Sequence, residues 1–285
     1  MLRCALICFL ISVLQVRLLA QDAPSFETDT SWSVALGSTR VPVRLNLYGR
    51  GLTYIPIKIL EIDSLVDLDL GGNPDLDLDS AFHLLAGISS LRRLGMDDCG
   101  ILEVPASIQL LSGLEQLNLS GNGLENFPNS LCGLHALQVL DLYGNRINAI
   151  PECIAALPSL QRLNMNGNRL TSLPASLERS HVRRLEMGLN PELRAARFFE
   201  LFGNMSALDT LVLYDTGIDS LPPSVGSLKQ LSYLDIGVND FHEFPKELGK
   251  LKRSKVLVVR LITYMDNEER LRKLLPRTRI DRVNR

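Results

Sequence analysis

The sequence has few of the residues that most often build catalytic or metal sites, and it has no excess of positive charge. Only four of its 285 residues are histidine, and no two of them have a spacing such as H-E-x-x-H, with which one helix holds zinc. No glycine-rich phosphate loop or Ser-His-Asp set stands out. The formal net charge is −2, which does not favour nucleic acid as a partner. These absences argue against a zinc site, a phosphate-binding loop, a Ser-His-Asp catalytic set and a nucleic-acid partner.

Aromatic residues are also scarce, at 6% with a single tryptophan, although 46% of the chain is hydrophobic. The core must therefore be built from leucine and isoleucine. Outside the N-terminus no stretch is long and apolar enough to cross a membrane, so we expect no transmembrane span once a signal is removed.

The N-terminus has the pattern of a secretory signal peptide. Arg3 precedes an uncharged apolar run over residues 4–16, and the small Ala20 follows. The run is too short to span a bilayer but fits the apolar region of a signal. We predict a signal peptide over residues 1–20. Arg17 and Leu18 are unusual next to a cleavage site, so an uncleaved anchor and a wrongly assigned start codon remain as alternatives.

The chain repeats itself with a period of 23 residues, in segments that begin at Leu114, Leu137 and Leu160. The shared pattern is L-x-x-L-x-L-x-x-N-x-L-x-x-L-P. Related units extend in both directions, so that about ten of them cover residues 42–263, and stacking buries the apolar face that no unit can bury alone.

Each position in the repeat has a physical reason. Leu117 and Leu119 alternate at the period of a strand, so both point inward, and successive strands pair in parallel. Asn122 can satisfy backbone groups where the chain turns inward, and proline stiffens the return path. The asparagine position is also held by Asn73, Asn145, Asn168, Asn190 and Asn239. Arg50, Cys99 and Thr216 depart from it.

Residues 65–128 align without a gap on residues 182–245, which indicates duplication of a five-unit block. The longer unit in each copy contains Asn-Pro and lacks the Leu-Pro step, and apolar pairs spaced i, i+3 (Phe82 with Leu85, Phe199 with Phe202) predict a helix on the outer side. Asp79 or Ser80 is the expected N-cap. Asp75, Asp77 and Asp79 look like the start of a calcium loop, but the glycine and glutamate that such a loop requires are missing.

The repeat resembles the leucine-rich repeat in its Leu-Pro form, over about four fifths of the chain. That form is used by Ras-associated scaffold proteins and by many exported bacterial proteins. The leading segment WSVALGSTRVPVRLNLYGRGLTYIP and the closing segment DNEERLRKLLPRTRI resemble the ends of the bacterial members. The resemblance implies an α/β solenoid: a leucine-rich repeat horseshoe with a concave parallel β-sheet and convex returns of 3-10 turns, loops and short helices. It implies protein binding without catalysis or a cofactor.

These observations predict four parts: a signal peptide over residues 1–20, an N-terminal cap over 21–41, the solenoid over 42–263 and a C-terminal cap over 264–285. In the last part, Leu271, Leu274 and Leu275 would cover the final repeat. Removal of the signal leaves Cys99, Cys132 and Cys153, an odd number that argues against a disulfide framework. Cys132 and Cys153 are 21 residues apart, two short of the period, so we expect them not to be paired.

Side chains between and just after the inward leucines should face the concave surface. Tyrosine and arginine most often carry interface energy, so the candidates for partner binding are aromatic and charged residues of this face. They are Tyr143, Tyr214, Tyr233, Asp141, Glu186, Asp235, Arg162 and Arg184.

The sequence thus favours an exported, monomeric, secreted or cell-envelope protein that binds a protein ligand, for which a host protein is one candidate class. An intracellular signalling scaffold of the Ras-associated type is the alternative if the N-terminal segment is not a signal. The targeting arm of an enzyme is a third reading, but the repeats leave little chain for a catalytic domain.

Overall fold

The computed structural model describes residues 43–62, 64–239, 243–251, 256–259 and 265–282. The predicted signal peptide and N-terminal cap lie outside the described residues. Among the helices that are described, none has the length and apolarity that a membrane crossing requires.

In the described part of the chain, eleven short strands form one parallel sheet in sequence order. The strands β1 to β11 are Val43–Asn46, Leu65–Asp69, Arg93–Gly95, Gln116–Asn118, Val139–Asp141, Arg162–Asn164, Arg184–Glu186, Thr210–Val212, Tyr233–Asp235, Val256–Val259 and Arg279–Arg282. Equivalent residues of neighbouring units pair directly, as Leu117 does with Leu94 and Leu140. The predicted solenoid with a parallel sheet is confirmed.

The returns between strands are mostly single 3-10 helices that follow a proline. They span Ile57–Glu61, Ala106–Leu110, Asn129–Gly133, Glu152–Ala156, Ala175–Arg179, Pro223–Ser227 and Lys246–Lys250, with two further short turns at Pro191–Leu193 and Ala195–Phe198. Pro105 and Pro151 have φ of −60° and −77° and ψ above 150°, so the chain is extended where it enters the turn. The fixed φ of proline favours this entry.

The inward leucines form a continuous core in which Leu117 and Leu119 are almost wholly buried. Asn122 supports it, as predicted. Its side-chain oxygen accepts hydrogen bonds from the backbone N–H groups of Cys99 (3.1 Å) and Ile101 (2.9 Å) in the preceding unit. Its amide nitrogen donates to the carbonyl of Met96, at 2.9 Å. Each such asparagine therefore joins two units by satisfying buried backbone groups of both.

The two longer units carry the predicted outer helices, α1 (Leu78–Leu85) and α2 (Phe199–Asn204). Phe82 of α1 and Phe199 of α2 are fully buried. The expected N-cap of α1 is wrong: Asp77 is the cap, and its carboxylate accepts from the backbone N–H (3.3 Å) and the hydroxyl (2.6 Å) of Ser80. The helix begins one residue before Asp79, whose carboxylate instead accepts from Ser107 of the next return, at 2.6 Å.

Cys132 and Cys153 form a disulfide, with their Cα atoms 5.9 Å apart, so the expectation that they are unpaired is wrong. That expectation treated the returns as straight segments in register. Both residues instead lie in adjacent 3-10 turns, Asn129–Gly133 and Glu152–Ala156, from which different positions can face one another. The bond covalently joins two neighbouring repeats. Cys99 is free and buried.

The sheet continues through the segment that was expected to be the C-terminal cap. The helix α3 (Met265–Leu274) leads into β11, which pairs with β10. Leu271 and Leu275 are buried, in keeping with the expected covering role, while Leu274 is only partly buried.

Candidate functional site

The concave face consists of side chains that alternate with the inward leucines, and the register of the sheet aligns them in columns. The first column comprises Arg44, Asp67, Arg93, Gln116, Val139, Arg162, Arg184, Thr210 and Tyr233. The second comprises Asn46, Asp69, Gly95, Asn118, Asp141, Asn164, Glu186, Val212 and Asp235. The third column lies two residues beyond the second, just after each strand, and comprises Tyr48, Gly71, Asp97, Ser120, Tyr143, Asn166, Gly188, Tyr214 and Gly237.

Three of the candidates, Arg162, Arg184 and Glu186, lie together. Glu186 is only 8% exposed, and its carboxylate pairs with Arg184 and, at 3.5 Å, with Arg162. Asn166 donates to the same carboxylate at 3.2 Å, and its own oxygen accepts from the N–H of Gly188 at 2.6 Å. Both arginine side chains remain about half exposed, at 51% and 44%. The buried glutamate therefore fixes two arginines that still present donors to solvent.

Asp141 and Asp235 have a local role in the backbone. Each carboxylate accepts a hydrogen bond at 2.9 Å from the N–H two residues further on, that of Tyr143 and of Gly237 respectively. The same bond is made by Asn46, Asp69, Asn118 and Asn164. This Asx turn explains why the column is rich in asparagine and aspartate. Burial raises the pKa of Asp235 above its usual value.

Tyr143 and Tyr214 lean towards each other across the face. Tyr143 is 45% exposed, and its ring approaches Gly167 of the following unit. The ring of Tyr214 covers Gly188 of the preceding unit so closely that a Cβ atom there would overlap it. Burial raises the pKa of Tyr214, with a smaller contribution from Tyr143. The two rings therefore flank a polar floor. Tyr233 lies in the first column on β9, opposite Thr210, and is not part of this pair.

Leu189 belongs to this surface although sequence reasoning missed it. It is 36% exposed and has a φ of 55°, which is unusual for a residue with a bulky side chain. Gly144 and Gly167 hold the equivalent place in other units, with φ of 66°. The sequence signal was a leucine where the repeat favours glycine. Strained residues of this kind cluster at binding sites.

A second group of residues, around Tyr48, lies near the other end of the face. None of them was among the candidates predicted from the sequence. Tyr48 is 44% exposed, and its hydroxyl donates to the carboxylate of Asp98 at 3.4 Å. The negative charge of Asp98 contributes most to raising the pKa of Tyr48, followed by burial and then by Asp97. The pKa of Asp97 is raised by burial and, more weakly, by Asp69, Asp98 and Asp141. Aspartates at the ends of consecutive strands were the signal that could have revealed this group.

A family model described as leucine rich repeat matches residues 89–147 and 112–170. No curated protein matches the sequence. Several solved structures do, including an internalin (inlF) from Listeria monocytogenes, at 19% identity and a TM-score of 0.58 over 85% of this chain and 74% of the internalin. A second internalin from that organism, inlC2, gives 22% identity and a TM-score of 0.51 over 76% of this chain and 80% of the other.

The LRR ectodomain of a plant membrane receptor kinase from Arabidopsis thaliana, solved in complex with CASPARIAN STRIP INTEGRITY FACTOR 2, is also similar. It gives 24% identity and a TM-score of 0.53 over 87% of this chain, which spans about a third of the receptor (33%). These likenesses concern the fold. The repeats within residues 89–170 match the leucine-rich repeat, and the described strands and returns build a solenoid, an architecture whose concave surface is generally used for binding.

In the described residues, no group of three or more histidine, cysteine, aspartate or glutamate side chains is arranged to hold a metal ion. The concave face presents aromatic rings, carboxylates and two oriented arginines.

Proposed function

We propose that this leucine-rich repeat protein is exported and binds a protein ligand on its concave face, without catalysis. The observation that carries the proposal is the central group of the face, where the rings of Tyr143 and Tyr214 flank a polar floor beside two oriented arginines. Leu189 adds exposed apolar surface at the same place. Large, rigid aromatic side chains and arginine near the centre of an interface contribute most to affinity.

Export is supported by two independent features. The N-terminal segment has the pattern of a signal peptide, and disulfides such as Cys132–Cys153 persist mainly in oxidising compartments. The intracellular scaffold is the second candidate, and it is favoured by the weak cleavage signal at Arg17 and Leu18.

We expect the protein from its native cell to be found outside the cytoplasm, without residues 1–20 and with Cys132 and Cys153 oxidised. Cell fractionation, followed by alkylation before and after reduction and by mass spectrometry, measures all three properties. Both cysteines should take up the label only after reduction. A cytoplasmic protein whose two thiols react at once would contradict export and favour the scaffold.

For binding, the triple variant Tyr143→Ala/Tyr214→Ala/Tyr233→Ala should weaken the affinity for the ligand by about 100-fold or more, because each tyrosine at a hot spot contributes on the order of 1 kcal/mol or more. The ligand is first captured by wild type from extracellular material, and its affinity is then measured by surface plasmon resonance.

The matched control is Tyr54→Ala. Tyr54 is 58% exposed but lies between β1 and the following 3-10 turn, outside the three columns. The control should bind as wild type does. If the triple variant retains full affinity, the ligand does not use the concave face as proposed.

A further inference from the structure

We propose that the ligand of the concave face presents lysine or arginine side chains on an extended segment, which lies along a strip of aspartates and tyrosines at the ends of the strands. This inference rests on the proposed function and specifies its partner. The acidic strip is defined by the aspartates Asp69, Asp97, Asp98, Asp141, Asp215 and Asp235, with the tyrosines Tyr48, Tyr143 and Tyr214 between them.

In the described residues, the basic side chains of the concave face lie along one side of it. The arginines lie in the first column, where Arg44 (3.7 Å) and Arg93 (3.3 Å) both pair with Asp67. Arg162 and Arg184 likewise share Glu186. The arginines are thus directed at these two carboxylates. Among the described residues, no lysine or arginine occurs in the second column, in the third column or at the position directly after each third-column residue. Aspartate occurs at all three positions.

The aspartates of the strip act on one another along the sheet. Asp97 is affected by Asp69 of the unit before it and by Asp141 two units after it, and these charges add to burial in raising its pKa. At Tyr48 the charge of Asp98 is the largest cause of the raised pKa. Near the other end, the pKa of Tyr214 is raised by burial first and, among smaller causes, by Asp235 and Asp215. Among the described residues, the strip therefore has two groups of unpaired carboxylates, one from Asp69 to Asp141 and one at Asp215 and Asp235, and a cationic ligand would relieve the repulsion within each.

The tyrosines determine what kind of cation fits. Tyr48 and Tyr143 expose nearly half of their surface next to the carboxylates. A lysine or arginine side chain can lay its aliphatic stem or its charged group on such a ring while the head group pairs with an aspartate. A phosphate-rich partner would be repelled. Since the strip crosses many strands, an extended peptide segment can contact more of it than a single protruding loop can.

The decisive variant neutralises one end of the strip with little change of shape: Asp69→Asn/Asp97→Asn/Asp98→Asn. Asparagine keeps the oxygen that accepts the N–H of Gly71 at position 69. It also tolerates the left-handed backbone of residue 98, where φ is 53°. The substitution removes the burial penalty on ionised Asp97 but weakens the bond that Asp69 accepts from Asn46, so urea unfolding of the variant is measured alongside binding to separate lost affinity from lost stability.

The matched control is Glu103→Gln/Glu125→Gln/Glu243→Gln. It removes the same number of negative charges from exposed residues of the return paths. It therefore separates an effect of the strip from an effect of overall charge.

The probes are a fluorescent peptide of alternating lysine and serine and its glutamate–serine counterpart, with the captured natural ligand measured in parallel. We expect the lysine peptide to bind wild type, to lose at least 10-fold in affinity for the asparagine variant and to lose less than 2-fold for the control. The glutamate peptide should not bind. Affinity for the natural ligand should fall with the asparagine variant and with rising salt.

Equal losses in the asparagine variant and the glutamine control would overturn the inference. It would also be overturned if the natural ligand depended on Tyr143 and Tyr214 but was unaffected by salt and by the asparagine variant. In that second case the proposed function would stand and only the partner's chemistry would be wrong. A natural ligand that is insensitive to the tyrosine variant would instead contradict the proposed function.

Discussion

Asn190→Ala is expected to lower the free energy of unfolding by about 3–5 kcal/mol, because it leaves several buried backbone groups without partners. The side chain of Asn190 is fully buried. Its oxygen accepts from the N–H of Leu170 at 3.0 Å, and its nitrogen donates to the carbonyls of Met165, Met187 and Gly188 at 2.9–3.0 Å. Alanine replaces none of these bonds.

The effect should also change the shape of the unfolding curve. In a solenoid each unit contacts mainly its neighbours, so a weakened junction can separate the transition into two steps. Urea unfolding followed by circular dichroism measures both quantities, and Asn126→Ala, at an exposed position, is the matched control. A loss below 1 kcal/mol with an unchanged single transition would show that the asparagine does not join the units as described.

Phe82→Ala is expected to cost about 3–5 kcal/mol, through lost burial of the ring and the cavity that remains. Phe82 is a fully buried residue of α1 and belongs to the hydrophobic core. Phe82→Leu should cost less, since it keeps most of the apolar contact. Thermal and urea unfolding give the values.

His83→Ala is the control for Phe82, because His83 occupies the next position of the same helix but is exposed. It should change stability by less than about 0.5 kcal/mol. If Phe82→Ala were equally mild, α1 would contribute little to the core, and its role would be limited to the outer surface.

The parts of this fold that were predictable from sequence are those whose physics repeats in every unit. Leu117 and Asn122 face the same surroundings as their equivalents, so a period of 23 residues is enough to place them. The outer helices followed from apolar pairs in two related segments. The disulfide and the cap of α1 did not follow. Each depends on where a single turn of the return path begins, and a shift of one or two residues changes which side chains meet.

The sequence predicts which side chains line the concave face, but it does not predict what each of them contacts. Asp141 and Glu186 occupy equivalent positions, yet the shorter side chain reaches back to its own turn, while the longer one reaches two arginines. The length of the side chain and the residues around it decide which partner each carboxylate reaches, and the spacing of the repeat shows neither. For Leu189 the sequence shows a leucine at a position where the repeat favours glycine, and its exposure and backbone conformation place it on the surface.

The one-strand-per-unit sheet also defines a molecular ruler. Neighbouring strands lie about 4.8 Å apart, whereas side chains on one side of an extended segment recur about every 6.7 Å. Tyr48 and Tyr143 are four units apart, and Tyr143 and Tyr214 are three units apart. These separations, about 19 Å and 14 Å, are close to three and two steps of an extended segment. In an extended segment that crosses the strands, the side chains that meet Tyr48, Tyr143 and Tyr214 would therefore be six and then four residues apart.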